Sequence, residues 1–286
     1  MFGPNTHVKS SAIISYSHRD NEFFDLYKDT VKRFKKIFNL NDYDILMIPG
    51  SGTIGIESVI YSLKGTVRVV GCDGVFFQRW KKMIEGYNKL GKENNLYCQL
   101  ETSLSAYNPG SDSIVDGISS FPYYDIPEDT EIFITCGNKQ LGTYPGLAIV
   151  CVRKDFWDKL INSDTMSYLN LSRYRDYSTK NQTPSTAPTH LFNHFNKILR
   201  NFNITELRNK INNISDLLVN SIGSSYIIGE ERCPVITVNK DCIPIEIANR
   251  YQLYGINTDS ENYQFFTYSC NENIYKRFCK EYLLCK

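Results

Sequence analysis

The sequence predicts an α/β protein: a large domain built around a mainly parallel β-sheet, and a smaller α+β domain at the C-terminal end. Short apolar runs typical of buried strands alternate with helix-like segments through the first half of the chain, as in parallel sheets. A polar, Ser/Thr-rich stretch with two prolines, residues 163–189, then marks a crossing between domains. We therefore predict a large domain at residues 15–188 and a small domain formed by residues 1–14 and 189–286.

The first half begins with an amphipathic segment. Apolar side chains at Phe23, Tyr27, Val31 and Phe34 recur at helical spacing, which predicts a helix over residues 21–37. Short apolar runs predict the strands that follow, at residues 45–48, 67–71, 94–101, 113–116, 131–136 and 147–152. Helical patterns beside these runs predict helices at residues 56–63 and 77–90 and another that starts at residue 155.

Beyond the crossing stretch, the pattern changes from alternation to helices with few strands. A long helical region covers residues 190–218, and we expect it to break near Asn203. Short strands are predicted at residues 225–228, 235–238 and 264–268, with helices between them. This order of elements is typical of an α+β domain.

Charge and composition exclude several classes of protein. The formal net charge is +1, so no overall field would attract nucleic acid or an acidic membrane. No apolar stretch approaches the length that spans a bilayer, and the first residues lack the apolar core of a signal peptide. The nine cysteines are scattered without a CxxC pair, which fits reduced thiols in a cytoplasmic protein. An aromatic content of 13% favours a filled core and one sizeable interface.

Three segments at predicted strand ends carry residue types that suit chemistry. GSGTIG, residues 50–55, joins a strand to a helix whose free N–H groups favour an anion such as phosphate, although a plain tight turn explains the same pattern. Asp116 ends a strand, where α/β folds place their ligands, and suits either a cationic ring nitrogen or a cap. Lys139 follows a strand and precedes a Gly/Pro loop, so it is either a solvated charge or a lysine that forms a Schiff base.

Taken together, these segments resemble the class V aminotransferase family of fold-type I pyridoxal-phosphate (PLP) enzymes. The similarity runs over nearly the whole chain and depends on the order of the motifs, which are GPNTHV at residues 3–8, SHRDNEFFDLY at 17–27, GSGTIGIES at 50–58, DGVFFQRW at 73–80 and ETSLSAYNP at 101–109. Within the family, SSFP at 119–122, the pair at 138–139 and TAPTH at 186–190 look most like the 2-aminoethylphosphonate:pyruvate and alanine–glyoxylate aminotransferase branch.

The resemblance implies a role for each matching position. Lys139 would form a Schiff base with PLP, and Asp116 would pair with the pyridine nitrogen and keep the ring an electron sink. Phe76 would stack on the ring, and Thr102 or Ser103 would bond near the ring hydroxyl. The remaining implied contacts are to the phosphate, and they are Ser51, Gly52, Thr53, Asn138 and, from the neighbouring subunit, Thr186. Since the family is dimeric with both sites at the interface, the resemblance also implies a homodimer.

Two departures from the family pattern affect this interpretation. Only 14 residues separate Thr102 from Asp116, where family members usually carry an extra helix and strand, so either that helix is lost or the sheet is rearranged. The family anchors the substrate carboxylate with an arginine in a C-terminal strand, where this chain has Gln264. Either another cation binds the substrate anion, or the anion is not an α-carboxylate. The candidates for that cation are Arg19, Arg173 and Arg175.

The predicted function is that of a PLP-dependent aminotransferase acting on small molecules, which moves an amino group from a small amine or amino acid to a keto acid. An aminophosphonate or a phosphorylated amine is included among the expected donors. Gln264 in place of arginine keeps a PLP-dependent lyase or decarboxylase open, and the shortened middle keeps a non-catalytic partner-binding descendant open. His190 and His194 have the spacing of metal ligands but no third ligand nearby, which favours a structural role and no metal.

Overall fold

The structure is a computed structural model that describes residues 14–87, 89–110, 113–163, 165–269 and 271–285. Its strands are β1 (Tyr43–Pro49), β2 (Thr66–Val70), β3 (Glu93–Cys98), β4 (Leu100–Glu101), β5 (Ala106–Tyr107), β6 (Ile114–Asp116), β7 (Ile132–Cys136), β8 (Leu147–Arg153), β9 (Ile227–Ile228), β10 (Val235–Asn239) and β11 (Asn262–Phe266). Its α-helices are α1 (Asn21–Phe38), α2 (Gly52–Ser62), α3 (Val75–Glu85), α4 (Leu171–Ser178), α5 (Thr189–Arg200), α6 (Ile204–Ile222), α7 (Ile245–Tyr251) and α8 (Glu272–Leu284).

Six strands form one sheet in the order β1-β8-β7-β6-β3-β2. Neighbours from β2 through β3 and β6 to β7 are parallel, and β8 runs antiparallel to both β7 and β1. The predicted mainly parallel sheet is therefore confirmed. The carboxyl ends of β6 and β7 lie side by side, so the residues that follow these two strands share one edge of the sheet.

Alternate residues of the central strands pack into two different hydrophobic cores, one on each face of the sheet. Ile132 and Ile134 of β7 face the core that α2, α3 and α4 cover, whereas Phe133 faces the core that α1 and α5 cover. Strand β8 alternates in the same way, and every residue from Leu147 to Val152 is buried. A strand buried on both faces reads as a continuous apolar run, which is why the sequence pattern located these strands well.

The shortened region between β3 and β6 has a simple structural outcome. Strand β3 pairs directly with β6, from Leu96 opposite Ile114 to Cys98 opposite Asp116. In the described part of residues 99–113 there is no helix, and β4 and β5 form a two-stranded antiparallel hairpin instead. The sheet therefore has no inserted strand at this position, and Glu101, which pairs with Ala106 next to the hairpin turn, lies close to Asp116.

Several predicted elements need correction. The predicted strand 94–101 is interrupted at Gln99, α3 ends at Glu85, and the segment after β8 forms only a 3-10 helix, Lys154–Lys159. The crossing stretch contains a helix, α4, whose first turn is capped by the Asn170 side chain accepting from the Ser172 N–H at 3.1 Å. The sequence did not predict this helix, because only Leu171 and Tyr174 of α4 are buried and its other residues show no apolar periodicity.

The predicted long helical region divides into α5 and α6, and the predicted break near Asn203 is confirmed because Asn203 is the N-cap of α6. Helices α6, α7 and α8 cover a three-stranded antiparallel sheet in the order β11-β10-β9. Helix α5 packs on α1, with the rings of Phe192 and Phe23 5.2 Å apart. The domain limits at residues 14/15 and 188/189 remain a prediction.

Two general features apply to all the described ranges. None of the helices in these ranges combines the length and the apolar character needed to cross a bilayer. The cysteines in the same ranges are all free thiols: five of the eight are buried, Cys72 and Cys242 are partly exposed, and Cys285 is exposed. Cys270 and the GPNTHV motif at residues 3–8 lie outside the described residues.

Candidate active site

Asp116 and Lys139 meet at the shared edge of the sheet. Asp116 is the last residue of β6, and Lys139 follows β7 after a short turn. Because β6 and β7 are parallel neighbours, both side chains lie at the carboxyl ends of the strands. Their charges interact: the Lys139 ammonium lowers the pKa of Asp116, and the Asp116 carboxylate raises the pKa of Lys139.

The Asp116 carboxylate is buried, with 7% of the residue exposed. Burial raises its pKa from the usual range to about 6, and the nearby Glu101 adds to this effect. Two hydrogen bonds oppose the rise: the Ile118 N–H donates to Oδ1 at 3.0 Å, and the Trp80 Nε1–H donates to Oδ2 at 2.8 Å. Each oxygen retains capacity to accept a further bond, so the carboxylate can still receive a ligand N–H.

The Lys139 amine lies in a partly buried position, with its Nζ 5.7 Å from the centre of the Phe266 ring. Burial lowers the pKa of this amine, and the positive charge of Arg79 lowers it further, while Cys136 and Asp116 oppose the change. A lowered pKa increases the share of neutral amine, which is the form that attacks a carbonyl.

The GSGTIG segment forms the expected turn between β1 and α2. Ser51 occupies the N-cap position of α2, but its side chain makes no capping hydrogen bond. The Ile54 N–H donates to the Ser51 carbonyl at 3.0 Å, and no described contact uses the N–H groups of Gly52 and Thr53, which can therefore bind a ligand. A Cβ atom on Gly52 would lie 2.7 Å from Ile118 Cδ1, which shows how closely this turn approaches the segment after Asp116. Thr53 lies in the same first turn, half-buried.

Phe76 lies in the first turn of α3, beside a buried carboxylate. The N–H groups of Phe76 and Phe77 both donate to Glu101 Oε2 at 3.0 Å, and the Val75 N–H donates to Ser103 Oγ at 3.1 Å. Glu101 therefore caps α3 although it lies far away in sequence, and it is completely buried. This cap fixes Phe76 relative to the segment that contains Thr102.

Thr102 connects the site to the C-terminal sheet. Its carbonyl oxygen accepts from Thr237 Oγ1 at 3.0 Å and from Gln264 Nε2. Gln264 stands where the resemblance expects an arginine, and its amide nitrogen is directed at this carbonyl. Two residues along the same face of β11, Phe266 contacts Lys139.

The remaining predicted residues are placed differently. Asn138 is buried beside Lys139, whereas Thr186 is exposed on the surface of the chain. The Arg19 guanidinium is exposed and donates to Gln182 Oε1 at 2.8 Å and to the Thr183 carbonyl at 3.0 Å, so it is joined to the crossing stretch. No described contact joins Arg19 or Thr186 to Asp116 or Lys139 within the single chain.

The other two candidate arginines also have structural contacts. Arg173 donates to the carbonyl oxygens of Met166 and Pro184. Arg175 lies over the Trp157 ring at 4.5 Å and 4.0 Å from Asp44. These contacts are on the α4 side of the sheet, and none of the described ones reaches Lys139.

Sequence reasoning did not identify Trp80 and Glu101 as parts of the site. Trp80 lies one turn after Phe76, a spacing that places both rings on one helix face but is equally typical of a residue that only packs its helix. Glu101 belongs to the motif ETSLSAYNP, but the resemblance implies no role for it. Its role as a cap depends on a fold contact that no local sequence pattern indicates.

The two spaced histidines take no part in this cluster. His194 Nδ1 is hydrogen-bonded to Thr143 Oγ1 at 2.7 Å, and its ring lies 4.6 Å from that of Tyr144. These contacts attach α5 to the loop after Lys139. Within the described ranges, no group of three or more His, Cys, Asp or Glu side chains is arranged to hold a metal ion.

Comparisons with other sequences give distant matches. No family model matches the chain. An uncharacterized aminotransferase from Methanocaldococcus jannaschii is 25% identical over 228 residues, covering 64% of this chain and 59% of the relative. Other relatives are named as a phosphoserine aminotransferase and as subunits of soluble hydrogenases. The chain matches about three fifths of the length of these curated relatives.

Comparisons with solved structures extend over almost the whole chain. An aspartate aminotransferase of subgroup IV from Thermus thermophilus aligns with a TM-score of 0.82 at 13% identity, covering 98% of this chain and 99% of that one. A PLP-bound phosphoserine aminotransferase from Trichomonas vaginalis gives 0.76 at 13% identity, covering 94% and 90%. The predicted fold, fold type I of PLP-dependent transferases, is confirmed, and so is the resemblance to class V aminotransferases.

Proposed function

We propose that this chain is a PLP-dependent aminotransferase that moves an amino group from a small amine or amino acid to a keto acid. The observation that carries the proposal is the pair formed by Lys139 and Asp116 at adjacent strand ends, with opposite charges and partial or full burial. The fold and the names of its relatives support the same activity.

The residues of the site fit PLP at three separate points. The first turn of α2 offers N–H groups and a favourable dipole to a phosphate. Asp116 offers a buried carboxylate with acceptor capacity to a ring nitrogen. Lys139 offers an amine with a lowered pKa to an aldehyde. Ile118 links two of these points, because its side chain approaches Gly52 of the α2 turn and its N–H donates to Asp116.

When bound, PLP supplies an electron sink for the bond that breaks at the substrate carbon. The residues of this chain then have distinct tasks. Asp116 Oδ would accept the hydrogen bond of the ring nitrogen. Lys139 Nζ would act as the base that accepts and returns the proton of the substrate carbon. Phe76 would pack against the ring, and Thr102 or Ser103 would bond near its hydroxyl.

The donor substrate carries an anion that is not bound by the usual arginine. Gln264 is neutral, so it cannot form an ion pair with a carboxylate, and its amide nitrogen already donates a hydrogen bond to the Thr102 carbonyl. We therefore place aminophosphonates and phosphorylated amines among the donors. Arg19 remains the proposed cation for that anion. Its hydrogen bonds to Gln182 and Thr183 attach it to the crossing stretch, which would have to bring it to the site.

Gln264 also favours a second candidate function, a PLP-dependent lyase or decarboxylase. Such an enzyme uses the same Lys139 and Asp116 but needs no amino acceptor. Incubating the holoenzyme with an amino donor, with and without a keto acid, separates the two activities. Turnover that depends on the keto acid supports the aminotransferase, and sustained turnover without it supports the lyase.

We further propose that the protein works in the cytoplasm as a homodimer with its active sites at the interface. The free thiols of the described cysteines fit a reducing compartment. Thr186 is exposed on the single chain, as expected for a residue that reaches the phosphate in the neighbouring subunit.

The attachment of PLP to Lys139 is the direct test. Borohydride reduction of the holoenzyme should fix the cofactor to the peptide that contains Lys139, and Lys139→Ala should remove this label. Lys89 provides a matched control because burial lowers its pKa to about 8, which makes it the competing reactive amine. We expect Lys89→Ala to be labelled like the wild type. A label that persists in Lys139→Ala and disappears in Lys89→Ala would refute the proposed site.

A further inference from the structure

A buried hydrogen bond joins α3 to the end of β6. The Trp80 Nε1–H donates to Asp116 Oδ2 at 2.8 Å, and Trp80 is 1% exposed. An indole N–H can only donate a hydrogen bond. The Trp80 N–H can therefore donate to Asp116 at every pH at which the carboxylate is ionised. Because both residues are buried, breaking the bond leaves a buried donor and a buried acceptor unpaired.

The bond completes the fixation of the Asp116 side chain. The Ile118 N–H holds Oδ1 at 3.0 Å while Trp80 holds Oδ2, so donors from two different elements define the plane of the carboxylate. One of these donors is backbone and is present with any side chain. Trp80 supplies the only side-chain donor that the described contacts give to Asp116.

Helix α3 also carries the ring predicted to cover the cofactor. The rings of Phe76 and Trp80 lie 6.2 Å apart on the same helix, and the helix begins on the buried Glu101 carboxylate. One rigid element therefore links the ring-covering residue to the carboxylate that faces the ring nitrogen.

We propose that Trp80 is a positioning residue, whose indole N–H holds the Asp116 carboxylate ionised and oriented toward the cofactor's ring nitrogen. The inference rests on the proposed PLP-dependent function and assigns a task to a residue that does not itself touch the substrate. Loss of the N–H should leave the fold intact, because phenylalanine keeps an aromatic ring at the same position.

The charged groups around Asp116 set the direction of the expected pH effect. Glu101 of β4 raises the pKa of Asp116, Lys139 lowers it, and the thiols of Cys98 and Cys136 lie close on β3 and β7. The Trp80 hydrogen bond favours the ionised form and so lowers the pKa. Removing it raises the pKa above about 6, which leaves more neutral carboxyl at mildly acidic pH.

The chain contains a matched control for this contact. It has two tryptophans, and the second, Trp157, donates from its Nε1–H to Asp44 Oδ2 at the same distance of 2.8 Å. Trp157 is also buried, at 8% exposed, but it lies on the 3-10 helix after β8, away from Lys139. A substitution there removes an equivalent tryptophan–carboxylate bond without touching the site.

The first experiment follows the indole N–H signals of the full-length protein without PLP by ¹H–¹⁵N NMR. Trp157→Phe leaves one indole signal, which identifies Trp80. We expect that signal to titrate with a midpoint near pH 6 and to lose this titration in Asp116→Asn. A Trp80 chemical shift that does not change between pH 5 and 8, or that titrates equally in Asp116→Asn, would overturn the proposal. This test does not require a stable Trp80 variant.

The second experiment measures PLP affinity from pH 6.5 to 8.5. Trp80→Phe should weaken binding about tenfold at neutral pH, and by a larger factor at pH 6.5 than at pH 8.5. Trp157→Phe should stay within about twofold of the wild type. Equal affinities for both variants, or a deficit that does not vary with pH, would contradict a positioning role. Failure of the wild type to bind PLP would instead refute the proposed function.

Discussion

Burial moves the two central side chains toward their neutral forms, in opposite directions along the pH scale. The pKa of the Asp116 carboxyl rises to about 6, and the pKa of the Lys139 amine falls. Each unit of such a shift corresponds to about 1.4 kcal/mol of difference between the two charge states. A cationic ring nitrogen beside Asp116 would restore the charged form, so PLP binding below about pH 6 should be coupled to proton release from this carboxyl.

We predict that the residue at position 264 sets the affinity of the site for ordinary amino acids. Gln264→Arg places a guanidinium where the resemblance to class V aminotransferases implies one, so the variant should bind alanine or serine about tenfold more tightly than the wild type. The measurement is the dissociation constant for alanine, read from the change in cofactor absorbance on titration. Asn273→Arg adds the same charge at an exposed position on α8 and should have no effect.

Two results would argue against this placement of Gln264. Tight binding of alanine by the wild type, with no gain in Gln264→Arg, would show that the side chain does not line the substrate pocket. An equal gain in Asn273→Arg would show that only the net charge matters. The arginine variant should also lose the hydrogen bond between Gln264 Nε2 and the Thr102 carbonyl, which should lower its free energy of unfolding.

At the level of elements, α3 is held at its N-terminus by a single buried carboxylate. Glu101→Gln keeps the shape but replaces one acceptor with an amide nitrogen that faces the donors of Ser103. We expect a loss of about 1–2 kcal/mol in the free energy of unfolding, together with weaker PLP binding because α3 carries Phe76 and Trp80. Chemical denaturation and cofactor titration measure the two effects.

The cap of α6 supplies the comparison for this prediction. The Asn203 side chain accepts from the Glu206 N–H at 3.2 Å, in an exposed position that none of the described contacts joins to the site. Asn203→Ala should cost about 1 kcal/mol of stability and leave PLP affinity unchanged. If Glu101→Gln lowers stability but not affinity, the cap supports the fold alone and not the site.

Elements buried on both faces were predictable from the sequence, and contacts between elements were not. The apolar runs of β7 and β8 predicted their positions to within a residue, because every side chain from Ile132 to Cys136 and from Leu147 to Val152 is buried. Helix α4 was missed because its exposed residues are polar. Asp116 and Lys139 were identified through motif order, whereas the roles of Trp80 and Glu101 depend on tertiary contacts across 36 and 25 residues of chain.

At the scale of the whole molecule, the pairing of β3 with β6 continues the large sheet across the short segment between them. Direct pairing of these strands places the β4–β5 hairpin beside the C-terminal sheet, where Ser105 Oγ donates to the Val235 carbonyl and Thr237 Oγ1 donates to the Thr102 carbonyl. These contacts secure the segment that caps α3 from the opposite side. The segment after β3 is therefore attached to both sheets.

The proposed dimer makes a prediction about which subunit supplies Thr186. Thr186→Asp places a carboxylate where the partner's phosphate should lie, so this homodimer should lose PLP affinity, whereas Thr179→Asp, at an exposed position of the same stretch, should not. Co-expression of Lys139→Ala with Thr186→Asp then tests the arrangement. If Thr186 acts across the interface, one site of each mixed dimer combines an intact Lys139 with an intact Thr186 from the other subunit, and about half of the wild-type activity returns. If Thr186 serves its own subunit, neither site is complete, and purified mixed dimers stay as inactive as the two parent variants.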